Sequence, residues 1–475
     1  MNPALIIIFA FVVFASAIGI LAGSRVKMNL EMWTVGGRRF GLLVMWVLMA
    51  GEIYTTFTFL GASGWAYSKG APTFYILIYG ALAYTVSFFL LPLIWRLGKK
   101  HGLHTQPDYF IHRYESRLLG VFVALIGVAF IIPYLQLQLT GLGLIVHEAS
   151  NRTIRPDAAM VVAFFLTCAF VYTSGIRGTA WVAAVKNVMM LLTVVIVGFG
   201  VPYRYFGGIG PMFSALVQKY PRHVLFPGAT TTMDSPWLMS TLLLTAAGFY
   251  MWPHAFASAF AAKSAETIKR NAVIMPLFQL PILLVFVVGF TALLVIPGLP
   301  SGDLSFLALV NQTYPSWFMG FVGAAGAVTA MVPASVLVLF ASTLLAKNVY
   351  RTGFAPDASE EQVVKLSRFL VFVISVLALA FAIYFPNALV NLLLIGYDGV
   401  TQFFPGVVLG LFWKKTNAAA VCSGLVVGIT LVAVLVIGGH DPLWGMNAGF
   451  IALAANFAVT LLVSLISTKV SAGKL

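Results

Sequence analysis

Long apolar stretches separated by short polar segments form the main pattern along the chain. A stretch of about 20 apolar residues is long enough to cross a bilayer as a helix. The pattern therefore predicts an all-α, polytopic membrane protein in which residues 1–475 form a single transmembrane domain. About thirteen spans are predicted, near residues 3–23, 42–64, 73–95, 118–146, 158–174, 179–202, 237–261, 272–297, 317–346, 369–385, 388–413, 418–438 and 447–467.

Composition agrees with the pattern, since 60% of the residues are hydrophobic and 9% are charged. Soluble domains carry about 25% charged residues, so an ordinary soluble protein is excluded. Most of the 28 Lys and Arg residues fall in loops that are cytoplasmic if the N-terminus is outside. We therefore predict an integral protein of a bacterial-type plasma membrane with a cytoplasmic C-terminus. The net charge of +14 predicts membrane lipids with anionic headgroups as partners, and no nucleic acid.

Two predicted spans, the second and the seventh, carry glycine, proline and polar residues in mid-membrane, at 51–58 and 248–254. Backbone groups freed by such residues are tolerated only inside protein or beside water. Interrupted helices at matching places in the two halves of a chain indicate the central site of a transporter. The alternative is that the glycines let neighbouring helices pack closely. The pairing predicts an inverted repeat of five and five spans, 42–202 and 237–413, with the first span and the last two, 418–467, as peripheral helices.

Five short motifs follow one another along the chain. They are WTVGGR at 33–38, GLHTQPDYFIHR at 102–113, YTSGIR at 172–177, PH at 253–254 with AKS at 262–264, and KNVYR at 347–351. In this order they resemble the sodium:solute symporter family over nearly the whole chain. The resemblance implies the inverted-repeat fold of the leucine transporter and symport of a solute with a cation.

The same resemblance implies where a sodium ion would bind. Gly51 and Tyr54 match the backbone carbonyl positions of the second span, and Ala330 matches the carbonyl position of the ninth. The two hydroxyl positions of the ninth span are occupied here by Pro333 and Ala334. A hard cation needs about six oxygen ligands. We therefore expect a weak sodium site and assign no metal site from the sequence.

Lys186 is the basic residue that the predicted spans place inside the membrane, where a charge is costly and usually functional. The resemblance puts a family aspartate at Ala183, one helical turn before Lys186. We hypothesise that the Lys186 ammonium occupies the vacated cation site and that its protonation replaces sodium binding. The alternative is a lysine that snorkels to the membrane interface. Glu52, a second intramembrane charge, either takes part in coupling or simply pairs with Lys186.

The substrate prediction rests on a resemblance to the monocarboxylate-permease-like branch of the family. The matching features are Glu52 before Tyr54, VKN at 185–187 and VPAS at 332–335. That likeness implies a small organic anion such as pyruvate or lactate. A carboxylate can bind the open N–H groups of a half-helix. Tryptophan and tyrosine in membrane helices are usually packing or interface residues, and His254 has three open roles: carboxylate binding, proton transfer or a carbonyl bond. The predicted lining consists of Thr55, Thr58, Gln136, Tyr250, Trp252 and His254.

These features together predict a secondary active transporter that works by alternating access. Protons are the favoured coupling ion and sodium is possible. The alternatives are a sodium-coupled symporter of another solute, such as an amino acid, and a solute-binding sensor or channel. The sequence shows no clustered nucleophile, acid or metal set, so we predict neither an enzyme nor a cofactor, and it leaves the oligomeric state open.

Overall fold

The computed structural model describes residues 2–24 and 30–467. Within these ranges the side chains of residues 20, 22–24, 30, 33, 163, 166, 169–178 and 180 are outside the description. Every regular element in the described ranges is a helix. The all-α class predicted from the sequence is confirmed.

The first half of the chain contains nine α-helices and a π-helical segment, Phe57–Gly61, that follows α3. The α-helices are α1 (Pro3–Ser24), α2 (Leu30–Val35), α3 (Leu42–Ile53), α4 (Ala62–Ser68), α5 (Tyr75–His101), α6 (Gln106–Tyr114), α7 (Arg117–Ala149), α8 (Pro156–Phe206) and α9 (Ile209–Lys219).

The second half contains eleven α-helices, with a π-helical segment, Leu344–Phe354, that continues the fifteenth helix of the chain. They are α10 (Ser235–Gly248), α11 (Pro253–Ser258), α12 (Ala265–Gln279), α13 (Ile282–Val295), α14 (Ser305–Thr313), α15 (Ser316–Thr343), α16 (Glu360–Tyr384), α17 (Leu389–Val400), α18 (Phe404–Phe412), α19 (Ala418–Ile437) and α20 (Ala448–Ile466).

Nine helices in the described ranges are long and apolar enough to cross a membrane, and a bent pair, α3 with the helix Phe57–Ser68, makes a tenth. The other three predicted spans correspond to α1, to the first part of α8 and to the interrupted segment α10–α11. The interruption explains why that last segment does not count as one long helix. The structure thus shows a polytopic membrane fold with the predicted apolar segments all helical.

The α8 helix differs from the prediction. The sequence placed two spans at 158–174 and 179–202, whereas the structure has one helical segment of 51 residues, Pro156–Phe206. A glycine inside a helix costs about 1 kcal/mol relative to alanine, so the glycines at 175 and 178 are not sufficient to end it. Within the segment, Trp181–Phe206 meets the length and hydropathy of a membrane span.

Burial separates central from peripheral helices. Of the 18 residues that form the apolar stretch of the span containing α15, 94% are buried. The corresponding values are 39% for α19 and 33% for α20. Helix α15 packs against α1, α7 and α8, while α19 and α20 pack mainly against each other. Helix α3 contacts both α8 and α15. These three helices therefore meet in the interior, where the predicted cation site lies.

Candidate cation and substrate site

The first interruption lies between α3 and the π-helical segment, and the two parts of the bent pair meet at 53°. Tyr54 leaves the helical conformation with φ −81° and ψ 97°. The Thr58 hydroxyl stabilises the break, because its single O–H is shared between Ile53 O and Thr55 O, both 3.0 Å away, and its oxygen accepts from Thr55 N–H at 2.7 Å. The Thr58 side chain thus replaces helical backbone hydrogen bonds. It does so where the glycines and threonines of the sequence predicted an interruption.

The second interruption lies between α10 and α11. Trp252 is extended, with φ −56° and ψ 129°, directly before Pro253. Proline disfavours the helical conformation in the residue before it and lacks an N–H donor, so the chain bends here. The freed carbonyl of Met251 accepts a hydrogen bond at 2.8 Å from Gln106 Nε2 of α6. Both predicted interruptions are present.

Lys186 lies on α8 with 0% exposure, and its Nζ donates a hydrogen bond to Gly51 O on α3. The two helices approach closely at this point, because a Cβ on Gly51 would lie 2.9 Å from Ala183 Cβ. Full burial excludes the snorkelling alternative. The amine therefore contacts a carbonyl that the family resemblance assigns to sodium.

Lys186 and Glu52 do not form an ion pair within 4.0 Å in the described part of the chain. The Glu52 carboxylate instead accepts a hydrogen bond at 3.2 Å from the Ser258 hydroxyl, at the end of α11. It also lines a small internal cavity. Simple pairing between the two intramembrane charges is therefore not what the structure shows.

The α15 side of the site is apolar. Ala330, Pro333 and Ala334 are buried in α15, and the Val332 side chain would lie 3.8 Å from a Cβ on Gly51. Ser335, which follows Ala334, donates to Val332 O at 2.6 Å and lies 3.2 Å from the Thr179 hydroxyl. Alanine and proline side chains bring no oxygen ligand to this position.

The internal cavity lies between the two interruptions and has a volume of about 30 Å3. That volume holds roughly one or two water molecules, so a three-carbon acid enters only if the surrounding helices move. Glu52 supplies the carboxyl group of its wall and His254 the imidazole. The remaining lining is Ile53, Phe57, Tyr79, Tyr134, Phe249, Trp252, Ala255, Leu393 and Tyr397.

Of the predicted substrate-binding residues, Trp252 and His254 line this cavity. Thr55 and Thr58 lie within the first interruption, where the Thr55 hydroxyl accepts from Phe57 N–H at 3.1 Å. Gln136 on α7 donates to Phe385 O at 2.7 Å. These hydroxyl and amide groups are hydrogen-bonded to backbone, and their residues are not among those that line the cavity. Tyr250 is buried, and it is not among the lining residues.

Three tyrosines of the cavity wall were not predicted: Tyr79, Tyr134 and Tyr397. The Tyr134 and Tyr397 rings contact Trp252, with centroid distances of 5.0 Å and 5.5 Å, and the Tyr79 ring lies 5.8 Å from that of Tyr397. They come from three separate helices, so no sequence spacing connects them. The one available signal was the polar context of Tyr397, which lies between Gly396 and Asp398 in an otherwise apolar span.

Among the described residues, no group of three or more His, Cys, Asp or Glu side chains is arranged to hold a metal ion. The motif at 172–177 falls in the part of α8 whose side chains are outside the description. Two ionisable side chains of the described residues lie at this position: the Lys186 amine, which binds Gly51 O, and the adjacent Glu52 carboxylate. The site therefore combines one amine with one carboxylate, rather than a cluster of anionic ligands.

The sequence model of the sodium:solute symporter family matches residues 33–428. The chain belongs to the sodium:solute symporter family. Since the family consists of transporters, the chain is a membrane transporter and not an enzyme. The resemblance drawn from the five motifs is confirmed.

Several curated proteins are similar to this sodium:solute symporter along their full length. It is 45% identical to the uncharacterized symporter YhjB of Bacillus subtilis, over 99% of this chain and 98% of the relative. It is 34% identical to the uncharacterized symporter YodF of the same species, over 95% and 92%. It is 29% identical to the monocarboxylate transport permease protein of Rhizobium johnstonii, over 98% and 96%.

Two solved structures share the fold of this symporter. One is the substrate-bound, outward-open state of a Na+-coupled sialic acid symporter, with a TM-score of 0.83, 19% identity and 100% of both chains covered. The other is Mhp1, a nucleobase-cation-symport-1 family transporter in a closed conformation, with a TM-score of 0.56, 10% identity and coverage of 93% and 96%. At these identities the likeness concerns the fold alone.

Proposed function

We propose that this symporter carries a small monocarboxylate, such as pyruvate or lactate, and that protons drive the transport through Lys186. One observation carries the proton part of the proposal. The buried Lys186 amine binds Gly51 O, at the position where the family resemblance implies a sodium ligand. A fixed amine there competes directly with a metal ion.

Protonation of Lys186 changes the contact between α8 and α3. The ammonium form carries a full charge, and Gly51 O stabilises it through a charge-assisted hydrogen bond. The neutral amine makes a weaker bond to the same carbonyl. Gly51 lies in the last turn of α3, next to the interruption that borders the cavity. Loading and release of the proton thereby bias the position of α3, which alternating access requires.

The substrate part rests on a different observation. The relative from Rhizobium johnstonii is named for monocarboxylate transport, and it matches 98% of this chain. The cavity beside both interruptions must widen before it admits any such acid, so the substrate assignment rests on this relative. Transport of such an acid together with a proton neutralises its charge during the crossing.

Purified protein in liposomes tests substrate and coupling ion together. Labelled pyruvate, lactate, acetate and alanine are offered under separately imposed proton and sodium gradients. We expect an inward proton gradient alone to drive accumulation of pyruvate or lactate. Accumulation that follows only the sodium gradient would overturn proton coupling, and no uptake of any of the carboxylates would overturn the substrate assignment.

The variant Lys186→Met tests the role of the amine. We expect it to lose proton-driven accumulation by about 100-fold or more, because the protonation site is gone, while substrate exchange between equal pools persists. Exchange also shows that the variant is folded. Lys100→Met, at an exposed lysine near the end of α5, is the matched control and should accumulate like wild type. Intact proton-driven uptake in Lys186→Met would contradict the proposal.

Sodium-coupled transport of another solute, such as an amino acid, is the second candidate. The family match and the Na+-coupled sialic acid symporter of the same fold favour it. The separate gradients and the alanine arm of the same experiment distinguish it from the first. The outside location of the N-terminus and the cytoplasmic location of the C-terminus stay predictions.

A further inference from the structure

A groove with an apolar floor lies where the beginnings of α3 and α12 meet α5. Its volume is about 460 Å3. The floor consists of the hydrophobic side chains of Leu42, Phe88, Val273 and Ile274. Val273 is 64% exposed and Ile274 is 38% exposed, so the described part of the chain leaves this floor open. An open floor between membrane helices is accessible to lipid.

Two cationic side chains of α12 border the floor. Lys269 Nζ lies 5.4 Å from the centroid of the Phe88 ring. Arg270 Nε contacts Glu266 Oε1 at 3.0 Å, and both of these side chains are exposed. This contact uses one nitrogen of the guanidinium, whose Nη atoms carry further N–H donors. The groove therefore combines an apolar floor with a rim of net positive charge.

Two more cations lie at the same edge. The segment before α3 pairs with the segment before α12, since Phe40 N–H donates to Ala261 O at 3.1 Å and Lys263 N–H donates to Phe40 O at 2.9 Å. This pairing places Arg39 and Lys263, both exposed, beside the rim. Across 38–42 and 261–270 the sequence has one acidic residue, the Glu266 already paired.

The end of α5 adds a further positive charge. Trp95 Nε1 donates to Ala262 O at 2.9 Å, which anchors α5 to the same segment. Lys99 Nζ lies 5.0 Å from the centroid of the Trp95 ring. Cationic side chains therefore cluster near one end of the groove, where α3 and α12 begin and α5 ends.

We propose that this groove binds an anionic phospholipid, with an acyl chain along the apolar floor and the phosphate at Lys269 and Arg270. The exposed hydrophobic floor favours a molecule with a hydrocarbon tail over a free phosphate ion. The surplus of positive charge favours an anionic headgroup over a zwitterionic one. Because α3 carries Gly51 at its other end, a lipid here also contacts the helix that ends at the cation site.

The test uses the full chain, purified in a neutral detergent. Its thermal midpoint is measured after addition of phosphatidylglycerol, phosphatidylcholine or inorganic phosphate, and bound lipid is counted by native mass spectrometry. We expect phosphatidylglycerol to raise the midpoint by several degrees and to remain bound. Phosphatidylcholine and phosphate should have little effect.

Two variants locate the site. Lys269→Gln with Arg270→Gln removes the rim charge, and Val273→Trp fills the floor without changing any charge. Each should bind phosphatidylglycerol about tenfold more weakly and lose most of the midpoint shift. Lys365→Gln is the matched control, because Lys365 also forms an i,i+4 pair, with Glu361 at 2.8 Å, at the exposed start of a helix. It should keep the full shift.

Three results would each overturn the proposal: equal shifts with phosphatidylglycerol and phosphatidylcholine, a full shift with inorganic phosphate, or wild-type lipid binding in both groove variants. If the double charge variant does not fold, the Val273→Trp variant decides the matter in the same assay. None of these measurements depends on the transported substrate or the coupling ion.

Discussion

At the scale of single residues, the contact between α3 and α8 depends on two small side chains. Gly51 and Ala183 allow the helices to approach until a Cβ on Gly51 would lie 2.9 Å from Ala183 Cβ. That approach brings Gly51 O within reach of Lys186 Nζ. A small residue at position 183, where the family resemblance implies an aspartate, therefore makes room for the lysine contact.

Substitution Gly51→Ala tests this packing. The added methyl overlaps Ala183, and overpacking of this kind typically costs about 1–3 kcal/mol, so we expect lower thermal stability and loss of proton-driven uptake. Adding Ala183→Gly to it should restore most of both, because the overlap is removed. Gly41→Ala is the control, since a Cβ there has nothing within 4 Å. Failure of the double variant to recover would show that the effect has another cause.

At the scale of elements, the two interruptions were predictable because glycine, threonine and proline have strong local effects. Pro253 constrains the residue before it, and the polar run at 51–58 marks the other break. The uninterrupted α8 was not predicted, because glycines at 175 and 178 weaken a helix without ending it. The cavity wall was predicted only in part, because Tyr79, Tyr134 and Tyr397 meet through packing of distant helices, which leaves no pattern in the sequence.

The first interruption also depends on one hydroxyl, that of Thr58. Thr58→Val keeps the shape and removes bonds to Ile53 O, Thr55 O and Thr55 N–H. Buried groups left without partners cost about 1–3 kcal/mol, so the unfolding midpoint should fall and uptake should decrease, whereas Thr58→Ser should retain both. Thr85→Val is the control, because that hydroxyl bonds an ordinary helix carbonyl on an exposed face. Equal effects of the two valine variants would refute a special role for Thr58.

At the scale of the whole molecule, α6 joins elements that lie far apart in the sequence. Its Gln106 reaches the α10–α11 interruption, and Asp108 forms an ion pair with Lys347 and accepts from Asn348 at 2.9 Å, after the end of α15. The Arg113 guanidinium donates to Trp413 O at 3.3 Å, just after α18. This short helix therefore connects both halves of the predicted inverted repeat near one end of the bundle.

Asp108 makes that connection dependent on pH. Burial raises the pKa of this carboxyl, but the Lys347 charge and the hydrogen bonds from Lys347, His104 and Asn348 more than offset burial and lower the pKa from 3.8 to about 2. A lowered pKa stabilises the fold above pH 3.8, and this contribution, on the order of 2 kcal/mol, is lost as the pH falls toward 2.

Asp108→Asn should therefore be less stable than wild type near neutral pH, and the difference should shrink between pH 4 and pH 2, which unfolding midpoints in detergent measure. His104, whose pKa burial lowers to about 4, also gains a proton in this range, so the difference between the two proteins is the quantity to compare. Asp157→Asn removes an exposed pair with Arg155 and should change little at any pH. A stability difference for Asp108→Asn that stays constant down to pH 2 would show that the charge of Asp108 does not hold α6 in place.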